Sequence, residues 1–286
     1  MSKVAIVTDS TADLPADFLK AYPIRVVPLK ILWDGKTYQD GIEIQAQEFY
    51  QRLRNSTSMP TTSQATPEEC KAAFESLLDE GYDVLGLFIS AELSATFDSA
   101  QKAAADIGRT NVLACDSRSV SMAMGFQVLA AARAAAEGKS LEECRAAAAQ
   151  ARDREHIYFV VQTLEYLRRG GRIGGAAAFL GTLLDYKPLL EIRNGRIEAV
   201  ERVRSMGKAI ERMIQLTENL VAGQRGPLHL AVVQADAEEA AGALLEQVKQ
   251  RFGDRPIADS LVTSVSPVLG THTGPGTLGL IALADS

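Results

Sequence analysis

Asp83–Ile107 reads DVLGLFISAELSATFDSAQKAAADI. Its first eight residues are apolar almost throughout and too few for an amphipathic helix, the pattern of a strand buried on both faces. The apolar run ends at Ser90, and LSATFDSAQKAAADI then has the composition of a helix. NVLACDS, Asn111–Ser117, repeats the strand pattern and reads as a third central strand. Strands alternating with helices imply a parallel sheet covered on both faces, and such sheets bind ligands at the carboxyl ends of their strands.

The alternation extends upstream. KVAIVTDS, Lys3–Ser10, reads as a buried strand, and a helix is expected from about Pro15, where proline in the first turn loses no hydrogen bond. IRVVPLKIL is a second strand, with Pro28 marking an edge or a bulge. Asp34-Gly35 signals a turn, QAQEFYQRLR a helix, and Thr66-Pro67-Glu68-Glu69 a capping box that opens the next helix.

Downstream, two alanine-rich helices are expected at Ser119–Glu137 and Ser140–Arg152, and then the pattern changes. YFVVQ, KPLLEI and RIEAVERV read as strands, the last two joined by an Asn194-Gly195 hairpin. HLAVVQ and ADSLVTSV add two more, with helices at Ser205–Val221 and Ala237–Phe252. The expected fold is therefore α/β: an N-terminal three-layer domain with a mainly parallel sheet, followed by a C-terminal α+β domain with a mixed sheet. The boundary is placed near Arg152–Ile157, giving 1–155 and 156–286. No Gly/Ser linker marks it, so the two should be closely packed.

The chain has 286 residues, 47% of them hydrophobic, enough for a sizeable core. Its net charge of −6 argues against a nucleic-acid partner. Cys70, Cys115 and Cys144 form no C-x-x-C pair and leave an odd thiol, which fits a reduced compartment. MSKVAIVTDS has no signal-peptide core, and no apolar run is long enough to span a bilayer. A cytoplasmic protein is expected.

Several chemistries can be weighed from motifs. Gly274-Pro275-Gly276-Thr277-Leu278-Gly279 formally matches a dinucleotide fingerprint, but TLGLIAL reads as a strand and no acidic residue stands about 20 positions on. No phosphate-binding G-x-x-x-x-G-K-[ST], no H-E-x-x-H and no G-x-S-x-G occurs, and His156, His229 and His272 are too dispersed to suggest a preformed metal site. Asp9-Ser10-Thr11-Ala12-Asp13 admits an aspartyl-phosphate reading; capping of the Pro15 helix is the simpler one. His272, between Gly270 and Gly274, is free to be presented on a turn. Thr61, Thr62 and Ser63 precede one helix and Ser94 another, where unpaired N–H groups and the helix dipole favour an anion; N-capping without a ligand is the alternative.

Taken together and in order, VTDSTADLP, PTTSQ, ISAELSATFDSA, CDSRSVSMAMG, TLEYLRRGGRIGGAAAFLG, YKPLL with its hairpin, and THTGPG resemble the DegV family of bacterial fatty-acid-binding proteins, from about Lys3 to about Leu283. The GGRIG and THTGPG stretches are the most specific. The resemblance implies two α/β domains with a long-chain fatty acid such as palmitate or oleate between them and no further cofactor. It implies a non-catalytic subunit that presents the carboxylate to a separate ATP-dependent fatty acid kinase. The acyl phosphate then serves phospholipid synthesis, with a transient contact to the membrane or an acyltransferase. Its carboxylate-binding residues map to Thr62, Ser94 and His272. Arg172, with Ser63 and Ser10, maps to the pocket mouth or to a docking surface. Ala65, Ala91 and Ala95 depart from the family pattern but are small and leave the hydroxyl positions in place. The competing reading is a stand-alone hydrolase or phosphotransferase acting on a small acidic substrate through Asp9 or Ser94. Arg168, Arg169, Arg193, Arg196, Arg202 and Arg204 crowd the same region as Arg172, either as a solvated, ion-paired surface or as a docking face.

Overall fold

The computed structural model describes residues 3–181, 186–253 and 255–285. Its first half runs β1 (Lys3–Asp9), α1 (Ala16–Ala21), β2 (Ile24–Val27), β3 (Lys30–Trp33), β4 (Lys36–Gln39), α2 (Ala46–Asn55), β5 (Thr61–Ser63) and α3 (Pro67–Asp79). It continues through β6 (Tyr82–Phe88), α4 (Thr96–Ile107), β7 (Val112–Asp116), α5 (Ser121–Ala136) and α6 (Leu141–Arg152). The second half runs β8 (Glu155–Val160), α7 (Glu165–Arg169), β9 (Lys187–Arg193), β10 (Arg196–Val203), α8 (Met206–Val221) and β11 (Leu228–Gln234). It closes with α9 (Glu238–Arg251), β12 (Ile257–Ser264), α10 (Pro267–Thr273) and β13 (Leu278–Ala284).

The α/β class is as expected. β2-β1-β6-β7 form a parallel four-stranded sheet, and β10-β9-β8-β13-β11-β12 a mixed six-stranded one. Alternation along the strands sorts the core. In β1, Ala5 and Val7 face Phe74 and Leu77 of α3, while Val4 and Ile6 face Met124 and Val128 of α5. In β8, Tyr158 and Val160 pack under α8 and α9, and Ile157 takes the opposite face with Met122 and Phe126 of α5. α5 is thus a middle layer between two sheets, which is why its residues from Ser121 through Leu129 are all buried.

Four local expectations are corrected. IRVVPLKIL is two strands, not one: β2 is the edge strand of the parallel sheet, as Pro28 suggested, and after the proline β3 crosses into a separate antiparallel sheet, β4-β3-β5. β7 is an edge strand, not a central one, because no later strand pairs beyond it. The Asp9–Asp13 segment does not cap α1, whose first turn has no side-chain cap; Asp9 caps a 3₁₀ turn at Ser10–Ala12 instead. His272 lies in the last turn of α10, a helix with Pro267 in its first turn, so the glycine corner follows the histidine. The Asp34-Gly35 and Asn194-Gly195 turns and the Thr66 capping box form as expected.

Candidate functional site

A cavity of about 100 Å³ lies where the carboxyl end of the parallel sheet meets the inner face of the six-stranded sheet. Leu29, Ile89, Val120 and Val268 wall one side, and Ile157, Phe159 and Val233 the other. The lining is mostly apolar, and its polar members include Thr62, Ser63, Ser94, Arg172 and His272. Four of the five come from segments the sequence marks as polar loops or glycine-flanked turns. The structure brings them together from four separate stretches of chain.

Each is held by local chemistry. Thr62 is in β5, which pairs with β3 at Ile31, so strand pairing rather than a loop fixes it. Its Oγ1 is 2.8 Å from Nε2 of His272. The imidazole lies against Gly170, where an added Cβ would fall 2.1 Å from Nδ1; the first glycine of the GGRIG stretch is the space the ring occupies. Nδ1 is buried with no hydrogen-bond partner. Burial, and then the charge of Arg172, push the His272 pKa down to about 4, so the ring is neutral at neutral pH. Of the two tautomers, the one with a bare Nδ1 lone pair avoids an orphaned buried N–H. Nε2–H then donates to Thr62, and the threonine hydroxyl proton is left to donate into the cavity.

Arg172 also lines the cavity, with Nε donating to the Leu93 carbonyl at 3.1 Å and Nη1 to the Gly170 carbonyl at 2.7 Å. These bonds hold the guanidinium beside Ser94. Ser94 does not cap α4; its Oγ is 2.9 Å from the Thr96 hydroxyl and accepts from the Thr96 N–H at 3.3 Å. Ser63 lines the cavity and donates to the neighbouring Gln64 carbonyl at 3.5 Å. Ser10 is the exception: it does not line the cavity, donating instead to Asp40 at 2.6 Å and accepting from the Leu29 N–H at 3.1 Å. Asp9 is fully buried, its oxygens accepting from Thr11 and from the Ile89 N–H. Asp9 does not line the cavity, and the Ser94 hydroxyl is engaged with the hydroxyl and N–H of Thr96.

Sequence reasoning missed Thr273, Thr277 and the apolar wall. The wall was legible in principle, since Ile157 and Phe159 alternate along a strand that was recognised. Most of the crowded arginines meet intramolecular partners: Arg168 and Arg169 pair with Glu165, Arg193 with Glu191, Arg196 with Glu92, and Arg202 lies over the Phe179 ring. Among the described residues, no three His, Cys, Asp or Glu side chains are grouped to hold a metal ion, and no helix is long and apolar enough to cross a membrane.

With the site's geometry in hand, comparison with known proteins is specific. A family model for the DegV family matches residues 3–285. The chain belongs to the DegV family. A DegV domain-containing protein of Streptomyces coelicolor is 39% identical over 279 residues, covering 97% of both chains. The solved structure of a DegV family protein from Thermus thermophilus, described as fatty acid binding, superposes with a TM-score of 0.92 at 38% identity, over 99% of this chain and 100% of that one. DegV of Bacillus subtilis, a fatty acid binding protein, gives a TM-score of 0.91 at 32% identity over the whole of both chains. The mixed six-stranded sheet and the parallel four-stranded sheet are thus the DegV architecture.

Proposed function

We propose that this DegV protein binds one long-chain fatty acid between its halves, 1–155 and 156–286, and presents the carboxylate to a separate kinase subunit for acyl phosphate formation. The observation that carries the reading is the Thr62–His272 pair at the polar end of an apolar cavity. Fatty acid binding by the Thermus and Bacillus relatives supports it. A tail of roughly fourteen methylenes at about 0.8 kcal/mol each gains on the order of 11 kcal/mol gross on burial. Ordering the chain takes back part of that gain. The tail supplies affinity, and the head-group residues need only orient the carboxylate.

Their chemistry suits that division. Thr62 and Ser94 offer neutral hydroxyl donors, and the neutral His272 fixes the threonine's orientation. Arg172 adds a positive charge whose reach is tempered by its two carbonyl partners. One carboxylate oxygen is left free for an incoming phosphoryl group. Such a carrier would work in the cytoplasm and meet a membrane or an acyltransferase only in passing. The test is native mass spectrometry of the purified protein, followed by solvent extraction. A copurified fatty acid in near one-to-one ratio is expected; protein that is reproducibly empty and takes up neither oleate nor palmitate would overturn the reading. Added ATP should remain unconsumed by this chain alone and give acyl phosphate only with a kinase subunit present.

A further inference from the structure

The Asp9–Asp13 motif plays no part in the site above, yet it belongs to a buried cluster whose bonds converge on the helix that carries His272. Asp9, Asp13 and Asp40 are 0%, 7% and 2% exposed. Asp9 ties β1 to the end of β6 through the Ile89 N–H and makes no recorded bond to α10. The other two do. Asp13 accepts from the Ser266 N–H at 3.0 Å and from the Ser121 hydroxyl at 2.6 Å, and its carbonyl accepts from Thr263 at 3.1 Å. Asp40 accepts from the Val268 N–H at 3.4 Å and from the Ser10 hydroxyl at 2.6 Å. Tyr50 adds a third anchor, donating to the Val265 carbonyl at 3.0 Å. α10 therefore starts on two carboxyl groups of the N-terminal half and ends, about 10 Å along at 1.5 Å per residue, at the imidazole. A small tilt at the anchored end becomes a displacement of the ring at the other.

We propose that Asp13 and Asp40 are positioning residues for His272, acting through α10 to hold its ring against Thr62. The consequence for a bound ligand rests on the fatty-acid reading above; the positioning itself does not. The two carboxyl groups are costly to bury. Burial raises both, with Asp13 pushed up to about 8 and Asp40 to about 6, and repulsion between them adds to the rise at Asp13, as the charge of Asp9 does at Asp40. Replacing such groups by apolar side chains would relieve that cost. Their presence is explained by the backbone N–H groups of α10 that they accept. It also accounts for Ser10, which lies outside the cavity but fixes the Asp40 carboxylate.

The chain has three histidines, which makes the test local. Protein labelled with ¹⁵N at histidine is prepared as wild type, Asp13→Asn and Asp40→Asn, and the imidazole nitrogens are followed by NMR. The expected result is that the His272 signals move by more than their linewidths while those of His156 and His229 stay in place. Release of bound labelled oleate should quicken several-fold in the same variants. Folded variants with unmoved His272 signals overturn the proposal, and so do variants in which all three histidines move together, since that is general loosening. If neither variant folds, Ser10→Ala decides by the same reading, because it keeps every carboxylate and only frees Asp40 to turn. If the wild type takes up no oleate, the fatty-acid reading fails and the histidine signals still test the positioning.

Discussion

His229, buried, and His272, partly buried, both lie on the inner side of the six-stranded sheet, and their surroundings shift their pKa values in opposite directions. His272 has an apolar cavity, one hydroxyl partner and a nearby arginine, and is neutral. His229 is 5% exposed; its Nδ1 is 2.5 Å from Asp259 and its Nε2 3.1 Å from Asp285. Burial pulls its pKa down, but the bonds and charges of the two carboxylates outweigh that and raise it overall. Arg133 of α5 pairs with the same Asp259 at 2.6 Å, and Phe126 of α5 lies 5.8 Å from the imidazole, centroid to centroid. At one end of α5 the halves meet around an imidazole with one hydroxyl partner and open space; at the other they are fastened by an imidazole held between two carboxylates in a packed network. A ligand site has to stay adaptable and a fastening does not.

The largest expected effect tests whether the two ends are independent. Phe126 is 1% exposed and packs in the core between the sheets as well as beside His229. Phe126→Ala should cost about 3–5 kcal/mol of unfolding free energy, through lost burial and the cavity left behind. It should nevertheless leave fatty acid affinity close to wild type in whatever fraction remains folded. Urea denaturation and fluorescent fatty acid binding on the same variant measure the two. A collapse of affinity matching the loss of stability would break the comparison by showing one cooperative unit.

The second effect is a pair of opposite pH dependences. For His272 the folded value, about 4, lies below the ordinary 6.5, so between those values the unfolded chain takes up a proton that the folded one refuses. Its contribution is full above 6.5 and is lost as pH falls toward 4, by on the order of 3 kcal/mol at 1.36 kcal/mol per unit. For His229 the folded value is raised above 6.5, so its contribution is full below 6.5 and is lost as pH rises through the folded value. Thermal melts of wild type against His272→Gln and His229→Gln isolate each ring from the buried carboxyl groups common to all three. The gap between wild type and His229→Gln should narrow with rising pH. The gap for His272→Gln should move against the wild type as pH falls. Parallel curves would mean that the surroundings do not set the two charge states.

Much of this contrast could not be read from the chain. The apolar runs that define β1 and β6 and the Asn194-Gly195 turn signal are local, and those elements form where expected. The three-residue strand β5 is too short to carry a period, and it exists because β3 leaves the main sheet at Pro28 and needs a partner. α10 reads as a turn because its glycines mask a seven-residue helix held by Asp13 and Asp40, residues more than 220 positions away. The roles of Thr62, Ser94, Arg172 and His272 rest on a family resemblance; local sequence left Thr62, Ser94 and His272 open between structural and ligand-binding roles, and Arg172 between a solvated surface and a docking face. Ser10 does not line the cavity because its hydroxyl is taken up by Asp40 and the Leu29 N–H, a pairing no local pattern announces. His229 was weighed only as a metal ligand, since the carboxylates that hold it are 30 and 56 residues distant.

The smallest effects separate orientation from affinity within the head-group end. Thr62→Val removes a donor to a charged oxygen and leaves the His272 N–H without its acceptor. A hydrogen bond to a charged group is worth about 1.5–3 kcal/mol, so fatty acid should bind roughly ten- to a hundredfold more weakly, against a far larger gain from the tail. Ser94→Ala should cost less, near the lower end, because the Thr96 hydroxyl stands 2.9 Å from the lost oxygen and can turn toward the ligand. His272→Ala removes the group that orients the Thr62 hydroxyl and should weaken binding least of the three. Phosphorylation tells them apart from simple binding residues: a carboxylate displaced by about 1 Å can lose a hundredfold in rate, so turnover at saturating fatty acid should fall further than affinity in all three variants. Affinity by fluorescent fatty acid and turnover by acyl phosphate formation, measured side by side, give both numbers. If turnover at saturation stays at the wild-type level throughout, Thr62, Ser94 and His272 do no more than shape their own turns. The neutral end of the molecule would then be an apolar cavity without a head-group site.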